Sequence, residues 1–120
     1  MPLDGTFYES DEILRVLRAA QERIRLPENW CQRTCARDSR ERIVYAWSPE
    51  AVRFCAAGAF IKISKFTSVE KYMTAAALSM GFSTAPSLND QSDHSTVMAM
   101  FERAIELRFQ EMTENVLVAG

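Results

Sequence analysis

The stretch Ser48-Pro49-Glu50-Ala51-Val52-Arg53-Phe54-Cys55-Ala56-Ala57-Gly58-Ala59-Phe60-Ile61-Lys62-Ile63 decides how the fold is read. Ser48 is a good N-cap, and Pro49 behind it gives up only a donor that any helix start leaves orphaned. Trp47 and Val52 stand at the N′ and N4 positions of a hydrophobic staple. These signals predict a helix from the Ser48 cap to about Ile63, with Val52–Ile63 apolar almost all round. Only Arg53 and Lys62 interrupt it. A helix apolar on every side packs on several sides, so it is expected at the centre of the domain. Ala56, Ala57, Gly58 and Ala59 allow a neighbouring backbone to come close. Gly58 costs a helix about 1 kcal/mol relative to Ala, which implies a packing reason for it.

Before this stretch, Ile13, Leu17, Ala20 and Ile24 repeat at helical spacing, and Arg15, Arg18, Glu22 and Arg25 fill the opposite face. A helix is expected from about Asp11 to Leu26, capped by Ser10 and stopped by Pro27. Trp30 to Arg42 reads as irregular, with Cys31 and Cys35 on one face of a short helical turn and Asp38-Ser39 as a turn. Ile43 to Trp47 is apolar and β-tolerant but short.

After it, Thr67 and Glu70 form a capping box for a helix to about Met80. Its buried stripe is Val69, Met73, Ala76 and Met80, and Gly81 sits at the left-handed C′ position. Phe82 to Ser92 reads as a loop. Ser92 or Asp93 caps a last helix from about His94 to Glu111, with Val97, Phe101, Ala104, Ile105 and Met112 on its main apolar face. Met100 and Leu107 fall on another side. If they lie exposed with the tail Val116, Leu117 and Val118, they form an interface for a homodimer. The expected architecture is an all-α single domain, 1–120, of about four main helices around the central apolar one, with room for a short β-ribbon near Ile43–Trp47.

Composition agrees with one globular domain: 120 residues, 48% hydrophobic, 25% charged. Fourteen basic against 16 acidic residues give a net charge of −2. No global field therefore draws nucleic acid or membrane. No apolar run approaches the roughly 18 residues of a membrane span. Met1 to Gly5 lacks a basic, then apolar, leader. Three cysteines do not make an even disulfide framework, so they are expected as reduced thiols in a cytoplasmic protein.

Five pieces occur in a recognisable order: Trp30; Ala36-Arg37-Asp38; Val52-Arg53-Phe54-Cys55-Ala56-Ala57-Gly58-Ala59; Leu88-Asn89-Asp90; and Phe101-Glu102-Arg103-Ala104-Ile105. The chain in this respect resembles an uncharacterised family of small bacterial and phage proteins, a domain of unknown function. The resemblance spans Trp30 to Ile105. It implies a shared fold and carries no activity. The sequence departs from the family pattern after Asp38, where Ser39-Arg40-Glu41-Arg42 replaces a glycine-bearing turn, and at Leu88, where an aromatic residue is common.

The residues available for chemistry are few. Cys31, Cys35, Cys55 and His94 could supply a zinc set, but their scatter lacks the tight pairs of structural zinc sites. Cys55 lies in an apolar run that raises a thiol pKa, which argues against a dyad with His94. The three cysteines read as small hydrophobes, and no metal or cofactor is expected. Trp30, Arg37, Asp38, Asn89 and Asp90 are the candidate ligand-binding set. The same residues could equally tie the Trp30–Arg42 segment to the Leu88–Asp93 loop through side-chain hydrogen bonds. The leading expectation is a non-enzymatic binding or accessory module, acting through protein contacts or a small polar pocket. The second is an enzyme acting on a nucleotide or phosphate-bearing substrate through Asp38 and Asp90. The third is weak nucleic-acid binding by segment 23–42, which holds six Arg against Glu28, Asp38 and Glu41.

Overall fold

A computed structural model describes residues 11–63 and 68–119. The first helix, α1, spans Glu12–Arg23. Its N-cap is Asp11, whose carboxylate accepts from Leu14 N–H at 2.9 Å. The expected caps, Ser10 for this helix and Thr67 for the one that begins at Ser68, lie outside the described residues. A 3-10 turn over Pro27–Asn29 follows, where the proline ends helical pairing. Three two-residue strands come next: β1 (Ala36–Arg37), β2 (Ile43–Val44) and β3 (Arg53–Phe54). Four further helices complete the described chain: α2 (Ala56–Ile63), α3 (Ser68–Ser79), α4 (Ala85–Gln91) and α5 (His94–Ala119).

The expected Val52–Ile63 helix is the main correction. Ser48 caps a turn, not a helix: its hydroxyl accepts from Glu50 N–H, and Ala51 N–H closes back on Ser48 C=O. Arg53 and Phe54 then pair with β1, and helix begins only at Ala56. Both outcomes satisfy the same local capping signals. The sheet wins because Phe54 becomes fully buried there and β1 supplies its backbone partners. The fold is therefore mostly helical with a small sheet, and five α-helices stand among the described residues. The most extensive packing runs between α3 and α5, α1 and α2, and α1 and α5.

The sheet has the order β2-β1-β3, antiparallel throughout, with Ala36 opposite both Val44 and Phe54. Gly58 explains how α2 can sit against it. A Cβ at Gly58 would lie 2.0 Å from the Cys35 carbonyl oxygen, so only glycine admits this approach.

The other apolar stripes hold. Leu17, Ala20 and Ile24 of the first, Val69, Met73 and Ala76 of the second, and Val97, Phe101 and Ala104 of the third are all buried, while the end members Ile13, Met80, Ile105 and Met112 are half-buried. Gly81 has φ +92, as its C′ position requires. The supposed Phe82–Ser92 loop instead contains α4, whose Thr84 hydroxyl accepts from Ser87 N–H at 3.1 Å. Asp93 caps α5 by accepting from Thr96 N–H at 2.9 Å.

Arg108 joins three helices. Its guanidinium donates to both Asp11 oxygens (2.6 and 3.1 Å), to Tyr72 Oη (3.0 Å) and to Glu111 Oε1 (2.9 Å). Burial pushes the Asp11 carboxyl up. Arg108 and the Leu14 N–H pull it further down, so the net result lies below its ordinary value.

Candidate functional site

The five polar candidates divide between two places. Asn89, on α4, is fully buried. Its Oδ1 accepts from Trp30 Nε1–H (2.8 Å) and from Ala56 N–H (3.0 Å), the first amide of α2. Its Nδ2 donates to Cys31 C=O (3.1 Å) and Asp90 Oδ1 (3.2 Å). One amide side chain thus joins α4, the α2 start and the Trp30–Cys31 backbone. Asp90 Oδ1 also accepts from Arg33 N–H at 2.7 Å, holding Arg33 at φ 70. Gln32 donates to Asn89 C=O (3.0 Å) and Ser92 C=O (2.9 Å), which the end of α4 leaves without helical partners.

Asp38 does separate work. It is buried in the β1–β2 connection, where Oδ1 accepts from Arg40 and Arg42 N–H, both at 2.9 Å, and Oδ2 from Arg42 Nε–H at 2.8 Å. The Arg42 amide above all, with Arg40 N–H and the Arg42 guanidinium, holds this carboxyl below its usual range despite burial. The turn needs that support, because Glu41 stands at φ 66 where glycine is the ordinary choice. Asp38 and Asp90 bind different parts of the backbone.

His94 is half-buried. Its Nε2 lies 2.7 Å from Ile24 C=O, and its ring meets Trp30 edge-on at 5.6 Å. Among the described residues no group of three or more His, Cys, Asp or Glu side chains could hold a metal ion. No described helix is long and apolar enough to cross a membrane. Met100 is fully buried and Leu107 half-buried against the core, which removes Met100 from any surface patch. Ridge spacing alone put Met100 on a second side of α5, but α5 is covered on more than one side. The Val116, Leu117 and Val118 side chains lie outside the described residues.

Two concave surfaces lie beside the sheet. The smaller, about 270 Å³, brings together Trp30, Gln32, Arg33, Arg37, Glu41 and Arg53. Arg53 pairs with Glu41 and donates to Trp30 C=O at 2.8 Å, while its buried Nε–H has no partner among the described residues. Arg37 donates to Glu41 C=O at 3.0 Å.

The larger is an apolar groove of about 760 Å³, walled mainly by Ile43, Val44, Tyr45, Trp47, Ile61 and Cys35. Ile43, Tyr45 and Trp47 are 68%, 68% and 61% exposed. The Tyr45 and Trp47 rings stack 4.5 Å apart at 9°. The sequence carried a signal for this surface. Ile43, Tyr45 and Trp47 alternate with the more buried Val44 and Ala46, a strand-like period that runs on past the end of β2 at Val44 into the turn closed by Ser48 N–H on Tyr45 C=O.

The three cysteines differ from one another. Cys31 is buried, and burial raises its thiol to about 11. Cys55 is buried at the α2 start, where its sulfur accepts from Gly58 N–H at 3.3 Å. Cys35 is exposed, contrary to the expectation of three hydrophobic thiols.

No curated protein and no solved structure matches the chain. A family model, described as a family of unknown function (DUF6197), matches residues 9–107. With most of its length inside that match, including the Asn89 cluster, the β1–β3 sheet and the aromatic groove, the chain belongs to this family of unknown function.

Proposed function

We propose that the protein is a binding module whose groove between β2 and α2 takes an extended, apolar segment of a partner protein. The observation that carries the reading is the exposed Ile43, Tyr45 and Trp47 row beside that groove. Exposed large aromatic side chains gathered at a concavity are costly to leave in water and are typical anchors of interfaces. β2 lies at the sheet edge, and no described strand pairs with its outer side. A partner strand can add its backbone hydrogen bonds there while seating alternate side chains in the groove. Arg40 and Arg42, both exposed, precede this edge and favour acidic residues beside the apolar anchor.

An array of extended peptides tests it. Binders are expected to share an aliphatic or aromatic residue flanked by Asp or Glu. Trp47→Ala should weaken them by about tenfold or more without lowering the melting temperature. Affinity unchanged in both Trp47→Ala and Ile43→Glu would sink the reading. A concentration-dependent dimer through this face would assign the groove to a second copy instead.

The Arg53 Nε–H, without a partner among the described residues, favours a second reading, in which the Arg33, Arg37 and Arg53 cavity holds a small anionic ligand. Pyrophosphate should then raise the melting temperature. Arg37→Ala should abolish that rise, and Trp47→Ala should leave it intact.

A further inference from the structure

Cys35 and Cys55 meet just beyond the paired ends of β1 and β3, Cys35 before the first and Cys55 after the second. The β1–β3 register places Ala36 opposite Phe54, and one step further along the ladder Cys35 faces Cys55. Cys55 N–H donates to Cys35 C=O at 3.1 Å, which holds the two backbones together. Residues paired through the backbone in this way lie about 5.5 Å apart at Cα, inside the window a disulfide needs. Directly opposed residues of an antiparallel pair carry their side chains on the same side of the sheet, which brings the two thiols to one side. Cys35 is exposed and lines the aromatic groove, whereas Cys55 is buried behind it.

We propose that Cys35 is a peroxide-reactive thiol with Cys55 as its resolving partner, making the groove wall a reversible disulfide site. The Cys35 thiolate attacks one oxygen of hydrogen peroxide. The S–O bond forms, the O–O bond breaks, and hydroxide leaves to take up a proton as water. Cys35 is then a sulfenic acid. The Cys55 sulfur attacks the Cys35 sulfur; the S–S bond forms, the S–O bond breaks, and the Cys55 proton leaves with the hydroxyl as a second water. Two thiols are oxidised and one peroxide is reduced. A soluble dithiol reverses the step by exchange.

The surroundings divide the roles. The Cys55 thiol donates toward Cys35 and stabilises its thiolate, which lowers Cys35 to about 6. The same contact, with burial, pushes Cys55 upward and keeps it protonated until Cys35 has reacted. Cys31 has neither exposure nor this partner. The proposal stands independently of what occupies the groove.

The test treats the intact, reduced protein with hydrogen peroxide and reads mass and peptide map. Wild type should lose two hydrogens and yield a Cys35–Cys55 linked peptide, restored by dithiothreitol. Cys55→Ser should stop at a Cys35 sulfenic acid that dimedone captures, Cys35→Ser should not react, and Cys31→Ser should behave as wild type. Should the Cys55 or Cys35 variants fail to fold, iodoacetamide on the wild type keeps the question open to decision. Cys35 should be alkylated about a hundredfold faster than Cys31 at pH 7. A link involving Cys31, folded wild type that gains no Cys35–Cys55 link, or alkylation of Cys31 as fast as Cys35 would overturn the proposal.

Discussion

The helical body around Arg108 and the sheet region around Asn89 are ordered by different means. In the body, α1, α3 and α5 bury Leu17, Met73 and Phe101 along periodic stripes, and Arg108 ties the three helices with one charged cluster. In the sheet region no strand exceeds two residues. Ladders that short leave most backbone groups without a strand partner, so side chains supply them: Asn89 for Ala56 and Cys31, Asp38 for Arg40 and Arg42, Gln32 for the end of α4. Apolar volume therefore organises one region, and single polar atoms organise the other.

The sharpest way to break this contrast is to remove volume from the first and one amide from the second. Phe101→Ala should cost about 3–5 kcal/mol, the range for emptying a buried aromatic site. Asn89→Ala removes no comparable volume, yet it leaves the part-buried Trp30 Nε1–H and the buried Ala56 N–H without their acceptor. At about 1–3 kcal/mol for each orphaned group, a loss of about 3 kcal/mol is expected in urea unfolding. A loss below about 1 kcal/mol, where apolar packing alone held the region, would erase the distinction.

Arg108→Met probes the one polar hub of the helical body. The loss should be about 2 kcal/mol, less than for a fully buried pair because water reaches part of this one. It should also change the acid limb. The folded Asp11 carboxyl lies below its unfolded value of about 3.9, so its contribution is present above that pH and lost as pH falls through the folded value. Stability measured from pH 6 down to pH 2 should therefore fall less steeply in the variant than in wild type. Equal slopes would show that Asp11 does not titrate through Arg108.

Trp47→Ala is the smallest expected change: under about 0.5 kcal/mol in stability, since the ring is mostly in water. A loss of several kcal/mol would make the aromatic row part of the sheet region's scaffold and remove it from the binding surface.

The same contrast explains what could be read beforehand. The stripes of α1, α3 and α5 are local patterns, so Leu17, Met73 and Phe101 were legible as core. Gly58 was legible as a close approach, though not which backbone came near. The polar set Trp30, Asn89 and Asp90 was legible as a cluster, with a tie between its two segments as one of its two readings. That each amide atom of Asn89 has an internal partner depends on residues 33 and 58 positions away. Met100 was misplaced because spacing does not say how many sides of a helix are covered, and α4 was read as loop because seven residues are too few to show a helical period.

Composition, stripes and caps by themselves determined a mostly helical globular domain with a close approach at Gly58, and they marked a polar cluster whose role they left open. Only the tertiary structure decided the rest. Ser48 closes a turn and Arg53–Phe54 join a sheet because a strand's hydrogen bonds need a second strand, and β1 is sixteen or more residues away in sequence. The groove beside Tyr45 and Trp47, and the meeting of exposed Cys35 with buried Cys55, follow from that pairing. No local signal in Ser48–Ile63 could have announced them.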